Sequence, residues 1–392
     1  MDNKRITVMA VGGAGCRIIR EFAGSFESSG FHLLAVDSDV NSLAGSRVGE
    51  EHWIQAGRLL RSGRGCGGDM IAGQQALANE RKQLHSVLSD TDVLIVVAGL
   101  GGGLATGGLP VVLGVAAKLH ITTAVLVTLP FSMEGFRRRQ LAEEKIKNDI
   151  LPIADAVIAL PNDLLFSTLD GETAIADAFL LSDKEMARTL RAVASILGGG
   201  NLFNADFASF TGVLKRRHSL CSLGTALVDD GADASSRAME KLLASPLLGG
   251  PESLDNADAV AFSLLGGPEL ALGNARAVLD LCARQCDPVL EKVILTGAAT
   301  SEEFAGKIQL TALAVRYLER PAAASASVPG RHTSGGHKMH EYSNEPGTQM
   351  DLPNLIVEDK GIMENTTPVV ISGEDLDVPA FKRRGIVVDC GK

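Results

Sequence analysis

One turn constrains this chain more than any other feature. Residues 93–98 are an unbroken apolar run, and they lead into Gly99-Leu100-Gly101-Gly102-Gly103-Leu104-Ala105-Thr106-Gly107-Gly108 before a second apolar stretch over 109–119. A short apolar run bounded by glycines reads as a buried parallel strand, and the longer stretch after it as a helix. Between the two, side chains almost vanish. Glycines let backbone come close to something, and at a strand end that feeds a helix the natural visitor is an anion, because the first helical amides have no intrahelical partner. The chain opens in the same way: residues 6–12 read as a strand, Val11-Gly12-Gly13-Ala14-Gly15-Cys16 as the turn, and 16 to about 26 as a helix.

The alternation continues. Strand 31–36 ends in Asp37-Ser38-Asp39, and then come helix 70–88, strand 93–98, helix 109–119, strand 122–128, helix 134–149 and strand 156–160. Strand–helix alternation of this kind predicts a doubly wound parallel α/β sheet, with ligands at the carboxyl ends of its strands. A long helix is expected over 177–197, because Met186, Leu190, Val193, Ala194 and Leu197 share one face and Gly198-Gly199-Gly200 follows. Ser182 with Glu185 offers a capping box, and with it a restart of the helix near Asp183. Strands 219–227, 258–265, 289–297 and 307–316, with helices 234–244 and 270–285, then read as a smaller α/β domain. The expected domains are 1–176, a central helix at 177–200, a second domain at 201–318, a polar aperiodic linker at 319–373 and a terminal peptide at 374–392. That peptide sets Leu376, Val378 and Phe381 beside acids and then Lys382-Arg383-Arg384, a composition suited to docking.

Composition removes several classes of function. With 37 Lys+Arg against 47 Asp+Glu, the net charge of −10 argues against nucleic acid as a partner. No stretch reaches the ~18 uncharged apolar residues of a membrane span, and Met1-Asp2-Asn3-Lys4-Arg5 runs straight into a strand without the form of a signal peptide. Six scattered cysteines with no CxxC pair predict reduced thiols and no metal centre. The chain is rich in glycine (43 of 392) and poor in Trp and Tyr (1 and 2), as tight strand–helix turns require. No GxxxxGK[ST] loop occurs, so a Walker-type NTPase is excluded. Gly13-Ala14-Gly15 is not a full GxGxxG, and a dinucleotide oxidoreductase fits that first turn alone.

Several motifs in one order make the chain recognisable. Residues 101–107 resemble the GGGTGTG phosphate loop of FtsZ, the bacterial relative of tubulin, and Asp37-Ser38-Asp39 resembles its NTD segment. Thr128-Leu129-Pro130-Phe131, running on to Glu134-Gly135-Phe136-Arg137-Arg138, is similar to its TKPF…EGxxR. Leu160-Pro161-Asn162-Asp163-Leu164-Leu165 is similar to IPNDKLL, Asn204-Ala205-Asp206-Phe207-Ala208-Ser209 to NxDFAD, and Ser245-Pro246-Leu247-Leu248 to SPLL. The resemblance covers 5–316 and the terminal peptide.

It implies a tubulin/FtsZ-like fold: a GTP-binding domain and a smaller α/β domain joined by the long helix. Gly12, Gly13 and Gly15, with Gly101, Gly102, Gly103, Thr106 and Gly107, would cradle the phosphates of GTP or GDP, Ala14 and Cys16 would belong to the same GTP-binding turn, and Mg2+ is expected. Glu134 and Arg138 would hold the ribose and phosphate side; their plain alternative is a solvated helix start. Asn162 and Asp183 would meet the guanine edge, with Phe179 either against the base or simply in the core. Asp206 and Asn204 would act on the nucleotide of the next subunit, and Asp206 could equally cap a helix. The implied protein is a cytoplasmic GTPase that polymerises head to tail into the division ring of bacteria and recruits membrane-tethering division proteins through 375–384. Departures from the family's pattern bear on rate: Leu104 and Ala105 replace Thr and Gly, Cys16 stands where Asn is usual, Met70 replaces Pro, and Ser209 replaces the second acid of NxDFAD. The alternative they support is a paralogue that binds GTP and modulates filaments with little hydrolysis.

Overall fold

The computed structural model describes residues 5–23, 31–58, 65–166, 172–197, 212, 219–231, 233–286, 293–300, 302–317, 370–371 and 374–375. The chain divides into two units, Met1–Ala324 and Ser325–Lys392. The first holds one sheet of ten strands. Six of them run parallel in the order β3-β2-β1-β4-β5-β6: β1 (Ile6–Val11), β2 (Phe31–Asp37), β3 (Trp53–Gln55), β4 (Val93–Gly99), β5 (Thr122–Leu129) and β6 (Ala156–Pro161). The order reverses between β1 and β4, the point at which parallel α/β sheets open a crevice. The register sets Val11 beside Val36 and Ala98, Gly99 beside Thr128, and Leu129 beside Pro161. Five carboxyl ends therefore lie along one edge, and every loop leaving them meets there.

Among the described residues, the α-helices of six residues or more are α1 (Gly12–Ala23), α2 (Val40–Gly45), α3 (Met70–Asn79), α4 (Arg81–Leu88), α5 (Gly103–Lys118), α6 (Phe136–Lys145), α7 (Ile175–Leu197), α8 (Ala234–Leu243) and α9 (Leu272–Gln285). Strand side chains alternate between the two faces. Ile6, Val8 and Ala10 pack against Ile18, Ile19 and Phe22 of α1 and Met186, Leu190 and Val193 of α7. Met9 and Val11 pack on the other face, with Leu77, Leu84, Leu109 and Val112 from α3, α4 and α5.

Four boundaries differ from expectation, each for a local reason. The helix expected at 109 begins at Gly103, so half of the Gly-rich run is helical. The glycines there serve packing: a Cβ on Gly103 would stand 2.6 Å from the Asp69 carbonyl oxygen, and one on Gly107 would overlap the backbone of Met70. The helix expected from 16 begins at Gly12, directly off β1. The single helix expected over 70–88 breaks at Glu80, whose φ −92° and ψ 9° leave the helical region. The helix expected over 134–149 begins after Gly135, whose φ of +114° no L side chain favours, and passes at Ile146 into one π-helical turn. In contrast, α7 runs unbroken past Ser182, and β3 was not foreseen at all.

The later strands are β7 (Ser219–Asp229), β8 (Ala259–Gly266), β9 (Val293–Thr300) and β10 (Lys307–Tyr317). β7 continues the sheet by pairing parallel with β6 over Ala156–Ile158, and β10 then lies antiparallel between β7 and β8. β8 and β9 are parallel, and α8 and α9 cover a separate core that includes Phe262, Leu264 and Leu310. In the second unit, the described residues form one antiparallel pairing, Val370–Ile371 with Glu374–Asp375.

Candidate functional site

Where the five carboxyl ends meet, their loops enclose an open cavity of about 440 Å³. Gly12, Gly13 and Ala14 enter it from the start of α1, and Gly102, Gly103, Leu104 and Ala105 from the start of α5. Two helix N-termini thus converge on one space. The N-cap of α5, Gly102, brings no side chain to satisfy the amides behind it, and neither helix carries an acid in its first turn. Helix N-termini favour negative charge, so this end suits an anion, with the Gly103 amide itself donating to the Gly67 carbonyl at 2.6 Å.

The loop after β4 is held by a small number of contacts. Gly101 sits at φ +98°, where a Cβ would press to 2.7 Å from Pro130 and 2.8 Å from Arg138, so only glycine fits. Its amide donates to the Thr106 hydroxyl at 2.8 Å, and its carbonyl accepts from Arg138 Nε at 2.9 Å. Arg138 Nη1 also donates to Glu134 Oε2 at 3.0 Å, while Glu134 Oε1 accepts from the Phe131 amide at 2.9 Å. Glu134 and Arg138 both line the cavity as an ion pair, with Arg138 half exposed.

The opposite end is built from α7 and the loop after β6. Phe179, Ser182 and Asp183 of α7 face Asn162 across the cavity. The Ser182 hydroxyl donates to Asn162 Oδ1 at 2.9 Å, which fixes the amide and leaves Nδ2 as the group to present. Phe179 lines the space and also packs edge-on against Phe131, with ring centroids 4.9 Å apart, so the two readings of it are compatible. Asp183 is buried, and Arg17 Nε donates to its Oδ2 at 2.7 Å, with Nη2 3.4 Å from Oδ1. Burial pushes the Asp183 carboxyl up, and Arg17 pulls it back only partly.

A third wall carries oxygen. Asp37 is buried at the end of β2, and its Oδ1 accepts from the amides of Ser38 (2.6 Å) and Asp39 (3.2 Å); burial raises its pKa against those bonds. Asp39 caps α2 through Asn41, and the Ser38 hydroxyl accepts from Cys66, drawing residues 65–67 into the lining.

Of the residues proposed from sequence, Gly12, Gly13, Ala14, Gly102, Gly103, Glu134, Arg138, Asn162, Phe179 and Asp183 meet in this cavity, and five do not. Gly15 lies against β4, where a Cβ would reach 2.6 Å from the Val97 carbonyl. Cys16 is turned into the core, and burial drives its thiol far up. Gly107 supports α3, while Gly101 and Thr106 face a neighbouring recess and act on the loop's shape. Because α1 starts at Gly12, Arg17 follows Gly13 by four residues on the same helical face and lines the cavity, which Cys16 does not. Arg17, Ser42, Ser182 and the segment 65–67 were not foreseen; the i, i+4 spacing from Gly13 was the available signal for Arg17. Asn204, Asp206 and Ser209 lie outside the described residues.

A model of the Tubulin/FtsZ family, GTPase domain, matches residues 5–170. Those residues match a tubulin/FtsZ GTPase domain, and the chain is similar to members of that family. It is similar to a solved dimer of FtsZ from M. jannaschii, with no ligand, at 27% identity, 80% of this chain, 88% of that one and a TM-score of 0.72. It also shares its fold with CetZ2 from Haloferax volcanii, solved as a GTPγS-bound protofilament (20% identity, 80% and 93% covered, TM-score 0.63), and with a CetZ from Methanosaeta thermophila (16%, 80% and 86%, 0.64). The tubulin/FtsZ architecture expected from sequence is the architecture present: a parallel-dominated sheet with helices on both faces, its sheet made mixed by β10. Among the described residues, no helix is long and apolar enough to cross a membrane, and no three His, Cys, Asp or Glu side chains form a metal cluster.

Proposed function

We propose that this chain binds GTP in the cavity, assembles head to tail, and hydrolyses GTP where one subunit's cavity meets the next. The observation that carries the reading is the polarity of the cavity: two helix N-termini without an acid in their first turns at one end, and a carboxylate beside an oriented amide at the other. Phosphates suit the first. Guanine suits the second, because its N1–H and amino group donate to Asp183 where adenine offers no such pair. Asp37, Ser38, Asp39 and Ser42 line the same cavity with hard oxygen donors, which fits Mg2+ carried in with the triphosphate and its water; the ion would neutralise charge on the phosphates.

Assembly is supported by what surrounds the cavity. Met133 and Phe136 flank Glu134, and Phe136 is 79% exposed; Ile71 of α3 is 69% exposed. Apolar side chains left in water beside a nucleotide cavity suit a partner subunit, and a contact between unlike faces does not close, so it makes a filament. The dimer of M. jannaschii FtsZ and the protofilament of CetZ2 are the neighbours' own assemblies and agree with this reading. Asp206, supplied by the next subunit with Asn204, would orient the attacking water. Division at the bacterial septum, in the cytoplasm, with recruitment of a membrane-tethering protein by 375–384, is the cellular role this reading favours.

The second reading, a paralogue that binds GTP and modulates filaments with little turnover, draws on Leu104 and Ala105 in the phosphate loop and on Ser209. GTP turnover measured against protein concentration separates the two. Turnover per subunit that rises steeply above a threshold concentration supports the polymerising GTPase; GTP binding with flat, negligible turnover supports the paralogue.

A further inference from the structure

Arg17 stands at the base end of the cavity, an end otherwise made by Asn162, Ser182 and Asp183. Its guanidinium meets Asp183 with one side of its fork, Nε at 2.7 Å and Nη2 at 3.4 Å. A guanidinium has five N–H groups, and this contact uses only the Nε and one Nη2 hydrogen. The outer edge, formed by Nη1 and the second Nη2 hydrogen, is not engaged among the described residues, and the side chain is 45% exposed while its carboxylate partner is 8% exposed. That outer edge is the one with which arginine grips two neighbouring acceptors, and guanine carries such a pair at O6 and N7.

We infer that Arg17 reads the purine itself, donating to O6 and N7 while Asp183 accepts from N1–H and the amino group. The inference rests on the guanine-nucleotide reading of the cavity and adds a specificity-determining residue to it. Arg17 and Asp183 lie side by side, so together they offer an acceptor and then two donors. Guanine presents N1–H, O6 and N7 in the matching order. Adenine turns an amino group toward the same donors, which leaves two donors opposed. Arg17 can do this because Asp183 holds it: a lone arginine on α1 would lose rotamer freedom on each encounter, whereas this one is already braced from α7.

The test is calorimetric binding of GTP, 7-deaza-GTP and ITP to the whole chain and to Arg17→Met. 7-Deaza-GTP lacks the N7 acceptor, and ITP lacks the amino group. The parent is expected to bind 7-deaza-GTP about tenfold more weakly than GTP, as loss of one charge-assisted hydrogen bond requires. Arg17→Met is expected to bring that ratio close to one while keeping a preference for GTP over ITP. Arg17→Lys, which keeps the charge without the two-pronged edge, should also lose most of the N7 discrimination; it serves if the methionine variant does not fold. Equal affinity of the parent for GTP and 7-deaza-GTP overturns the inference. So does a variant that keeps the N7 discrimination and loses the GTP/ITP preference, because Arg17 would then be only a brace for Asp183. If the parent binds no guanine nucleotide, the reading of the cavity falls and this inference with it.

Discussion

At the scale of single residues, the end of the cavity proposed for the base depends on one buried carboxylate. Asp183 is costly to bury, and its environment keeps it there through Arg17. Asp183→Ala should therefore weaken GTP about tenfold or more and leave inorganic triphosphate binding unchanged; equal GTP affinity in the two proteins would remove Asp183 from the site. Asp206 belongs to the same scale. Water must be held in line with the γ-phosphate, and a carboxylate can accept its hydrogen bond. Asp206→Ala should cut turnover by about 10²-fold or more while GTP-dependent filaments persist longer, and Ser209→Asp should raise turnover per subunit. Both follow from timed phosphate release alongside sedimentation. Asn162, Glu134 and Arg138, which line the cavity, belong to motifs whose side chains do the pointing. Cys16 and Gly15, which do not line it, lie in a helix whose start decides which side chain faces the cavity, and a run of glycines conceals that start.

At the scale of elements, the crossing of α3 and α5 is made by backbone. Gly73, Gly103 and Gly107 meet the facing helix with no space for a Cβ. Gly107→Ala should therefore destabilise the protein by about 1–3 kcal/mol, although alanine is the better helix former, and denaturant titration reads the change. Recovery of parental stability would show that the helices can part at little cost. This is why the Gly-rich run was legible as a special segment but not as a helix: its composition answers to a neighbour distant in sequence. The loops after β5 and β6 are joined by another device. Asp163 accepts from the Ser132 amide at 2.9 Å and its hydroxyl at 2.6 Å, and pairs with Arg139. Burial pushes the Asp163 carboxyl up, but Ser132 and Arg139 outweigh it, and the net shift is downward. A lowered folded pKa adds stability above the unfolded carboxylate range and loses it as pH falls through the folded value. Asp163→Asn should then lower Tm at pH 7, and the gap to the parent should narrow as pH drops below about 4. A gap of constant size would leave the charge without a role. The strand–helix alternation was readable because parallel strands are near-continuous apolar runs; β3, three residues long, gave no such run.

At the scale of the whole molecule, two readings make claims about assembly. The polar, aperiodic composition of 319–373 makes the terminal peptide a separate subject for test. Removal of 375–392 should leave GTP-dependent pelleting intact and abolish capture of a membrane-tethering partner; loss of pelleting would place the peptide in the filament contact. If each hydrolytic site needs two subunits, Asp206→Ala protein mixed into parent protein should depress turnover beyond simple dilution. Linear averaging, with co-assembly confirmed, would mean that sites are not shared. All of this depends on one claim, that guanine nucleotide in this cavity drives assembly of the chain on itself. Sedimentation of the full chain with GTP, with ATP, with GDP and with no nucleotide tests it most directly, with Asp183→Ala run beside the parent. The account predicts a pellet with GTP, little with the other three, and a much reduced pellet for Asp183→Ala. A pellet that forms equally without nucleotide, or none with GTP at any protein concentration, would contradict it.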